Sequence, residues 1–272
     1  MRKKTTSATF ENDAPPTGSK LKKLGVHLVQ ADYVVALAGN PNTGKSTVFN
    51  SVTGLRQHTG NWPGKTIARA EGGFSYNGKK FRLVDLPGTY SLLSATDDEE
   101  VARNFILFGR PDVTVVVIDP MRLERNLNLA LQVLQITEKA IVCVNLMDEA
   151  RAHGLKIDGQ GLAHDLGVPV VLTAARQGEG MDQLLAEIDN MASGHSSCSP
   201  HRLKYDIPSV QESMDELVTA LAEAYPGMPH REWVALRLLE GDQQIIEAVA
   251  NGEIGKLSED HVATGTISAC GN

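Results

Sequence analysis

A glycine-rich segment, residues 39–46, has the residue types and spacing that bind phosphate groups. It fits the pattern GxxxxGK[ST] and lies between an apolar stretch that predicts a buried strand and a segment that predicts a helix. In such a loop the backbone N–H groups turn toward the phosphates, Lys45 reaches the β and γ oxygens, and Ser46 supplies a hydroxyl to Mg²⁺. We therefore expect a phosphate site formed by Asn42, Thr43, Gly44, Lys45, Ser46 and Thr47.

Two further motifs follow predicted strands and suit the rest of a nucleotide. Asp85 begins the sequence DLPG, which places a carboxylate near Mg²⁺ through water and the backbone N–H of Gly88 beside the γ-phosphate. Asn145 and Asp148 are the ends of the sequence NLMD, where a carboxylate accepts hydrogen bonds from guanine N1–H and N2–H₂. Adenine lacks that pair of donors, so the motif predicts a guanine nucleotide, GTP or GDP.

Thr173, Ala174 and Ala175 follow the last predicted strand. Their backbone is placed to touch the same base, although a plain loop at the end of a strand is an equal alternative.

Residues 56–66 lie between the phosphate loop and Asp85 and are rich in glycine and charge. We predict a mobile segment with an exposed Trp62, which orders around the γ-phosphate and Mg²⁺ and supplies Thr66 to the metal. The alternative is a long surface loop with a partly buried tryptophan.

Apolar segments predict the strands that position these motifs, at residues 33–38, 68–76, 79–84, 113–118, 140–145 and 168–172. Asn77-Gly78 predicts a tight hairpin, and the other strands alternate with predicted helices at 44–53, 123–137, 158–166 and 181–191. We expect an α/β fold of the P-loop NTPase class. Its six-stranded, mostly parallel sheet has one antiparallel edge strand and flanking helices, and a small helical region follows.

Composition divides the chain into four predicted parts. We expect a disordered leader at 1–31, a Ras-like GTPase domain at 32–192, a linker at 193–206, and a helical region at 207–272 that is incomplete or disordered. In the linker, His195, Cys198 and His201 are three candidate metal ligands, but no element fixes their geometry and a solvated loop is the favoured interpretation.

The overall charge argues against a nucleic-acid partner. The 272 residues include 26 basic and 33 acidic side chains, a net charge of -7, so no global field attracts a polyanion. The 3 cysteines lack CxxC spacing and predict neither disulfides nor a zinc ribbon. No apolar run approaches the roughly 18 residues of a membrane span, so we expect a soluble, unexported chain.

Taken in order, these motifs resemble the cytosolic GTPase domain of the ferrous iron transport protein B (FeoB) family. The resemblance is carried by segments 39–46, 60–64, 85–91, 123–127 and 145–148 and covers about residues 33–190. Segment 231–242 resembles part of the family's helical domain. It implies an Fe²⁺ transporter in the bacterial inner membrane whose cytosolic part binds and hydrolyses GTP. The partner would be a transmembrane permease portion that lies beyond this chain.

The resemblance also implies roles for single residues. It assigns phosphate binding to Asn42, Gly44, Lys45 and Ser46, Mg²⁺ to Ser46 and Thr66, γ-phosphate sensing to Gly88, and guanine to Asn145 and Asp148. In related GTPases an asparagine at the place of Asn42 helps to hold K⁺. The chain departs from the family at Lys65, a switch position that is usually apolar, and in a helical region that looks shorter after Leu203.

Two substitutions set the expected kinetics. Thr89 stands where Ras-like enzymes carry a glutamine that orients water, which predicts slow intrinsic hydrolysis. Leu146 stands where many GTPases have a lysine whose stem covers the purine, which predicts modest nucleotide affinity and fast GDP release. The alternatives left open are a soluble GTPase of ribosome or RNA processing and a non-hydrolysing GDP/GTP sensor. Assembly into a homo-oligomer is also left open.

Overall fold

Seven strands form the sheet at the centre of the fold. They are β1 (Tyr33–Gly39), β2 (Gln57–Asn61), β3 (Ala68–Tyr76), β4 (Lys79–Asp85), β5 (Val113–Ile118), β6 (Ala140–Val144) and β7 (Val170–Leu172). The structure is a computed structural model that describes residues 31–54, 57–93, 96–196, 198–201, 208–226 and 228–252. The strand order is β2-β3-β4-β1-β5-β6-β7.

The sheet is mostly parallel. Strands β4, β1, β5, β6 and β7 run in the same direction, whereas β3 pairs antiparallel with both β4 and β2. Successive side chains of β1 alternate between two apolar cores, Val34 and Ala36 on one face and Val35 and Leu37 on the other. Burial on both faces explains why β1 and β6 are continuous apolar runs.

Nine helices are described around and after the sheet. They are α1 (Lys45–Thr53), α2 (Asp97–Asn104), α3 (Leu123–Ile136), α4 (Met147–Ala152), α5 (Gly159–Leu166), α6 (Met181–Ala192), α7 (Pro208–Ala224), α8 (Arg231–Leu239) and α9 (Gln243–Ala250). Helix α2 is capped by Thr96, whose side chain accepts a hydrogen bond from Glu99 N, and it continues into a buried π-helical turn, Phe105–Gly109. Because the strands are parallel, their carboxyl ends and the loops that carry the motifs meet at one edge of the sheet.

The predicted α/β class is confirmed, but the prediction of six strands is wrong. The additional strand is β2, which lies in the segment predicted to be a mobile loop. It pairs with β3 and takes the edge position of the sheet that the prediction gave to an antiparallel strand. Its sequence, QHTGN, has no apolar alternation that would signal a strand. Backbone pairing with β3 defines it instead, so no local pattern predicts it.

The helical region shares a core with the sheet domain. Leu221, Met228 and Trp233 belong to the same cluster of buried apolar side chains as Phe105 and Leu129. The predicted leader, apart from residue 31, and residues 253–272 lie outside the described residues. Within the described part, no helix is long and apolar enough to cross a membrane.

Candidate nucleotide-binding site

The phosphate loop joins β1 to α1, as the motif predicts. Asn42 and Gly44 adopt left-handed backbone conformations, with φ of 66° and 76°. The buried Thr43 hydroxyl donates a hydrogen bond to Asn40 O at 2.9 Å, which stabilises the conformation of the loop. Ser46 and Thr47 are exposed residues in the first turn of α1, and Thr47 N donates to Gly44 O at 2.9 Å. The first turn of a helix is where an anion would bind.

The ammonium group of Lys45 is held by the neighbouring strand. Its Nζ donates to the Asp85 carboxylate and, at 2.7 Å, to Leu86 O. Asp85 ends β4 opposite Leu37 of β1, so the parallel pairing brings the lysine and the carboxylate together. Burial raises the pKa of Asp85 above its usual value, while the charge of Lys45 acts in the opposite direction. A bound phosphate must therefore replace these two acceptors of Lys45.

The DLPG segment is anchored beside the phosphate loop. Leu86 N donates to Leu37 O at 3.0 Å, and Thr89 N donates to Gly39 O at 3.3 Å. A Cβ atom on Gly88 would lie 3.5 Å from Pro41. The structure thus brings Gly88 to the phosphate loop, as the sequence predicts, and buries Thr89 at 4% exposure.

Asn145 links the loops on which the site is built. Its buried Nδ2 donates to Thr43 O at 3.1 Å, and its Oδ1 accepts from Thr173 Oγ1 at 3.1 Å and from Ala175 N at 3.0 Å. The sequence assigns this amide to the base. In the structure it also braces the phosphate loop, so a base that uses the amide must share it with these contacts.

The candidate base loops are joined by side-chain contacts that sequence reasoning missed. Asp148, in the first turn of α4, accepts a hydrogen bond from Gln177 Nε2 at 3.2 Å. Arg151 and Glu179 form a bidentate pair with both N···O distances 2.6 Å. Gln177 and Glu179 both follow β7, whereas Asp148 and Arg151 follow β6. These contacts therefore join the segments after the two strands, and they become visible only in the folded chain.

Two backbone N–H groups of the segment 173–175, whose backbone is predicted to touch the base, make hydrogen bonds within the protein. Ala174 N donates to Glu179 O at 3.0 Å, and Ala175 N donates to Asn145 Oδ1 at 3.0 Å. A base that takes the Ala174 N–H must therefore displace the Glu179 carbonyl.

Thr66 lies in a hydrogen-bonded turn between β2 and β3. Trp62 N donates to Ile67 O and Lys65 N donates to Trp62 O, both at 3.0 Å. Trp62, predicted to be exposed, is only 3% exposed and packs edge-on against Phe105 with ring centroids 5.6 Å apart. Thr66 is exposed, and no hydrogen bond among the described residues joins its side chain to the phosphate loop.

The side chain of Lys65 points to α2. Its Nζ lies 2.7 Å from Asp97 Oδ1 and 3.1 Å from Glu100 Oε2. The hydrogen bond to Asp97 is the main cause that raises the pKa of Lys65 above its usual value. Local sequence patterns do not reveal these ion pairs, because the two carboxylates lie 32 and 35 residues from Lys65 along the chain.

The candidate metal ligands differ in chemistry. Ser46, Thr66 and Asp85 offer only oxygen atoms, which fits Mg²⁺, a hard cation. In the linker, His201 Nδ1 lies 2.9 Å from Asp165 O and Cys198 packs against the apolar cores. Among the described residues, no group of three or more His, Cys, Asp or Glu side chains could hold a metal ion.

Comparisons with known proteins agree with this architecture. Residues 33–188 match the family of ferrous iron transport protein B, and residues 208–264 match the FeoB cytosolic helical domain. The Fe(2+) transporter FeoB of Salmonella typhimurium is 40% identical over 212 residues, which are 76% of this chain and 27% of that protein. The chain therefore spans about a quarter of the length of the curated relatives it matches.

Solved structures show the same fold. The cytosolic domain of the T. maritima FeoB iron transporter in apo form has a TM-score of 0.72 and 36% identity, covering 83% of this chain and 86% of that chain. A GDP form of that domain has a TM-score of 0.73 over 84% and 86% of the chains, at 36% identity. The cytosolic domain of L. pneumophila FeoB has a TM-score of 0.72 and 31% identity, covering 83% of this chain and 89% of that chain.

Proposed function

This chain belongs to the ferrous iron transport protein B family, and from that premise we propose that it binds GTP and GDP with Mg²⁺ and hydrolyses GTP. It would act as a nucleotide-driven switch for iron uptake at the cytoplasmic face of the bacterial cell membrane. Its partner would be the permease portion of the transporter. The division into a GTPase domain at 32–192, a linker and a helical region remains a proposal.

The observation that carries the proposal is the linkage made by Asn145. One buried amide joins the loop after β1, which carries the phosphate motif, to the loops after β6 and β7, which carry the base motif. A phosphate site and a base site built as one unit suit a whole nucleotide rather than an isolated anion.

The chain's own residues supply binding and charge. Lys45 would leave Asp85 and Leu86 O for the β and γ oxygens, joined by the backbone N–H groups of residues 43–47 and of Gly88. Ser46, Thr66 and, through water, Asp85 would hold Mg²⁺, which neutralises developing phosphate charge when bound. Asn42 is the candidate K⁺ ligand and is an exposed residue of the phosphate loop.

Water would attack the γ-phosphorus in line with the leaving oxygen. The buried Thr89 is no substitute for a water-orienting glutamine, so backbone groups near Thr66 and Gly88 would have to orient the water. This arrangement favours slow intrinsic turnover.

Phosphate release from GTP and ATP, in potassium and in sodium buffers, tests the proposal. We expect slow release from GTP alone, its loss in Lys45→Ala, and faster release in potassium that Asn42→Ala abolishes. GDP binding without phosphate release would instead favour the sensor alternative, and equal release from ATP would contradict the guanine assignment.

Base recognition has a separate test at Asp148. A carboxylate accepts from the guanine N2–H₂ group, whereas xanthine presents a carbonyl oxygen there and needs a donor. Asp148→Asn should therefore weaken GDP binding at least about tenfold and strengthen XDP binding. Asp182→Asn, an exposed acid of α6, is the matched control. Unchanged selectivity in Asp148→Asn would remove this residue from the base site.

A further inference from the structure

The Lys65 ion-pair cluster, formed by Lys65, Asp97 and Glu100, joins the turn at residues 62–67 to α2. The turn carries Thr66, the candidate ligand of Mg²⁺, and α2 begins eight residues after Thr89, beyond the DLPG segment. The cluster therefore links the turn that carries Thr66 to a helix that follows the DLPG segment in the chain. The mechanism proposed above makes no use of it.

Two anchors hold the turn in its observed place. Trp62 is the apolar anchor, packed against Phe105 of the π-helical turn that continues α2. Lys65 is the charged anchor, with 28% of its side chain exposed and with contacts to Asp97 and Glu100, 65% and 26% exposed. Pairs this exposed contribute little and are weakened by salt, so the charged anchor is the one that can open.

The apolar anchor also contains a buried polar group without a hydrogen-bond partner in the described part of the chain. The buried Trp62 Nε1 has no hydrogen-bond partner among the described residues. A buried donor without an acceptor is unfavourable, so the contact of Trp62 with Phe105 is less stabilising than its burial alone would suggest. Thr66, meanwhile, is an exposed residue of the turn.

We propose that Lys65 is a positioning residue whose ion pairs with Asp97 and Glu100 hold the 62–67 turn on α2 and are released when Thr66 binds Mg²⁺·GTP. This inference rests on the proposed function, because it assigns a regulation to that same site. Binding of GTP must then break the cluster, whereas binding of GDP leaves it intact. The cluster lowers affinity for GTP relative to GDP.

Hydrogen exchange of the nucleotide-free chain tests the first half of the proposal. Lys65→Gln removes the charge, the pair Asp97→Asn and Glu100→Gln removes the partners, and Lys65→Arg retains the pairing. We expect the amides of Trp62 and Lys65 to exchange about two- to fivefold faster in the first two variants and unchanged in the third. Lys156→Gln, an exposed lysine in the loop after α4, is the control. Equal exchange in all variants would overturn the proposal.

Affinities for GDP and for a non-hydrolysable GTP analogue test the second half. Lys65→Gln and the carboxylate variant should raise the ratio of GTP-analogue to GDP affinity about two- to fivefold, and added salt should raise it in the parent chain only. A lower ratio would place Lys65 on the nucleotide and overturn the proposal. If the parent chain binds no guanine nucleotide, the proposed function fails, whereas an unchanged ratio in chains that bind both nucleotides defeats only the role of Lys65.

Discussion

The side chain of Asn145 makes hydrogen bonds to residues 102, 28 and 30 positions away along the chain, Thr43, Thr173 and Ala175. At the residue scale, the site is thus organised by a few buried polar contacts. The same amide explains Gly44, since a Cβ atom there would lie 2.4 Å from Asn145 Nδ2. Gly44 also has φ of 76°, so both space and backbone conformation require glycine.

Gly44→Ala should therefore lower the free energy of unfolding by about 1–3 kcal/mol more than a glycine substitution that is only conformationally strained. Gly54→Ala is the matched control, because Gly54 has φ of 60° but a Cβ atom there would meet nothing within 4 Å. Urea unfolding without nucleotide measures the difference. Equal losses in the two variants would show that Asn145 moves aside at no cost.

At the element scale, two side-chain contacts, one at each end, add to the backbone pairing of β4 with β1 that attaches the antiparallel strands to the fold. At the β3–β4 turn, Asn77 Nδ2 and Lys79 Nζ lie 3.0 and 2.7 Å from the carboxylate oxygens of Asp189 in α6. At the other end, Trp62 inserts between β2 and the π-helical turn. One contact is charged and the other is apolar, so they respond to different perturbations.

Asp189→Asn should lower the free energy of unfolding at pH 7 by about 1–2 kcal/mol, since it removes charged hydrogen bonds. The hydrogen bond from Lys79 is the main cause that lowers the pKa of Asp189. The stabilisation is complete above the unfolded carboxyl pKa of about 3.9 and is lost as pH falls through the lower folded value. Urea unfolding from pH 7 to pH 2 should show the two proteins converging in acid. A constant difference across that range would contradict the role of the charge.

Trp62 gives the apolar prediction. Trp62→Ala should lower the free energy of unfolding by about 3–5 kcal/mol, because it empties a buried site beside Phe105. Trp62→Phe should cost no more than about 1.5 kcal/mol, because it keeps the aromatic contact and removes the unpaired N–H. Thermal unfolding of both variants checks the ranking, and similar losses would argue against the edge-on packing.

At the scale of the whole molecule, the helical region and the sheet domain share one apolar cluster. It joins Trp233 and Val234 of α8 to Phe105 and Ile106 of the π-helical turn. The turn that carries Trp62 packs on the same cluster. We therefore expect the two regions to unfold together rather than as independent domains.

Trp233→Ala tests this coupling with a built-in probe. The chain has 2 tryptophans, so Trp62 is the only indole left in the variant. The midpoint of thermal unfolding reported by Trp62 fluorescence should fall, as expected from a loss of about 3–5 kcal/mol in the shared core. Leu239→Ala, at 41% exposure in the same helix, should leave it nearly unchanged. An unmoved Trp62 transition in Trp233→Ala would show independent unfolding.

The sequence by itself determined the features that depend on neighbouring residues. The phosphate loop, DLPG and NLMD are contiguous motifs, and the buried strands β1, β5 and β6 are continuous apolar runs, so local spacing suffices to find them. Their common position at one edge of the sheet follows from parallel strands. This is why the α/β class and the guanine-nucleotide hypothesis could be stated before any contact was known.

Only the tertiary structure decided the features that depend on residues far apart in the chain. Strand β2 forms because its polar segment makes backbone hydrogen bonds to β3. Trp62 is buried because it packs against Phe105. The partners of Lys65 lie 32 and 35 residues away, and Asn145 braces a loop 102 residues away. Hydrogen bonds and ion pairs act through distance in space, and no periodicity in the sequence records which distant groups the fold brings together.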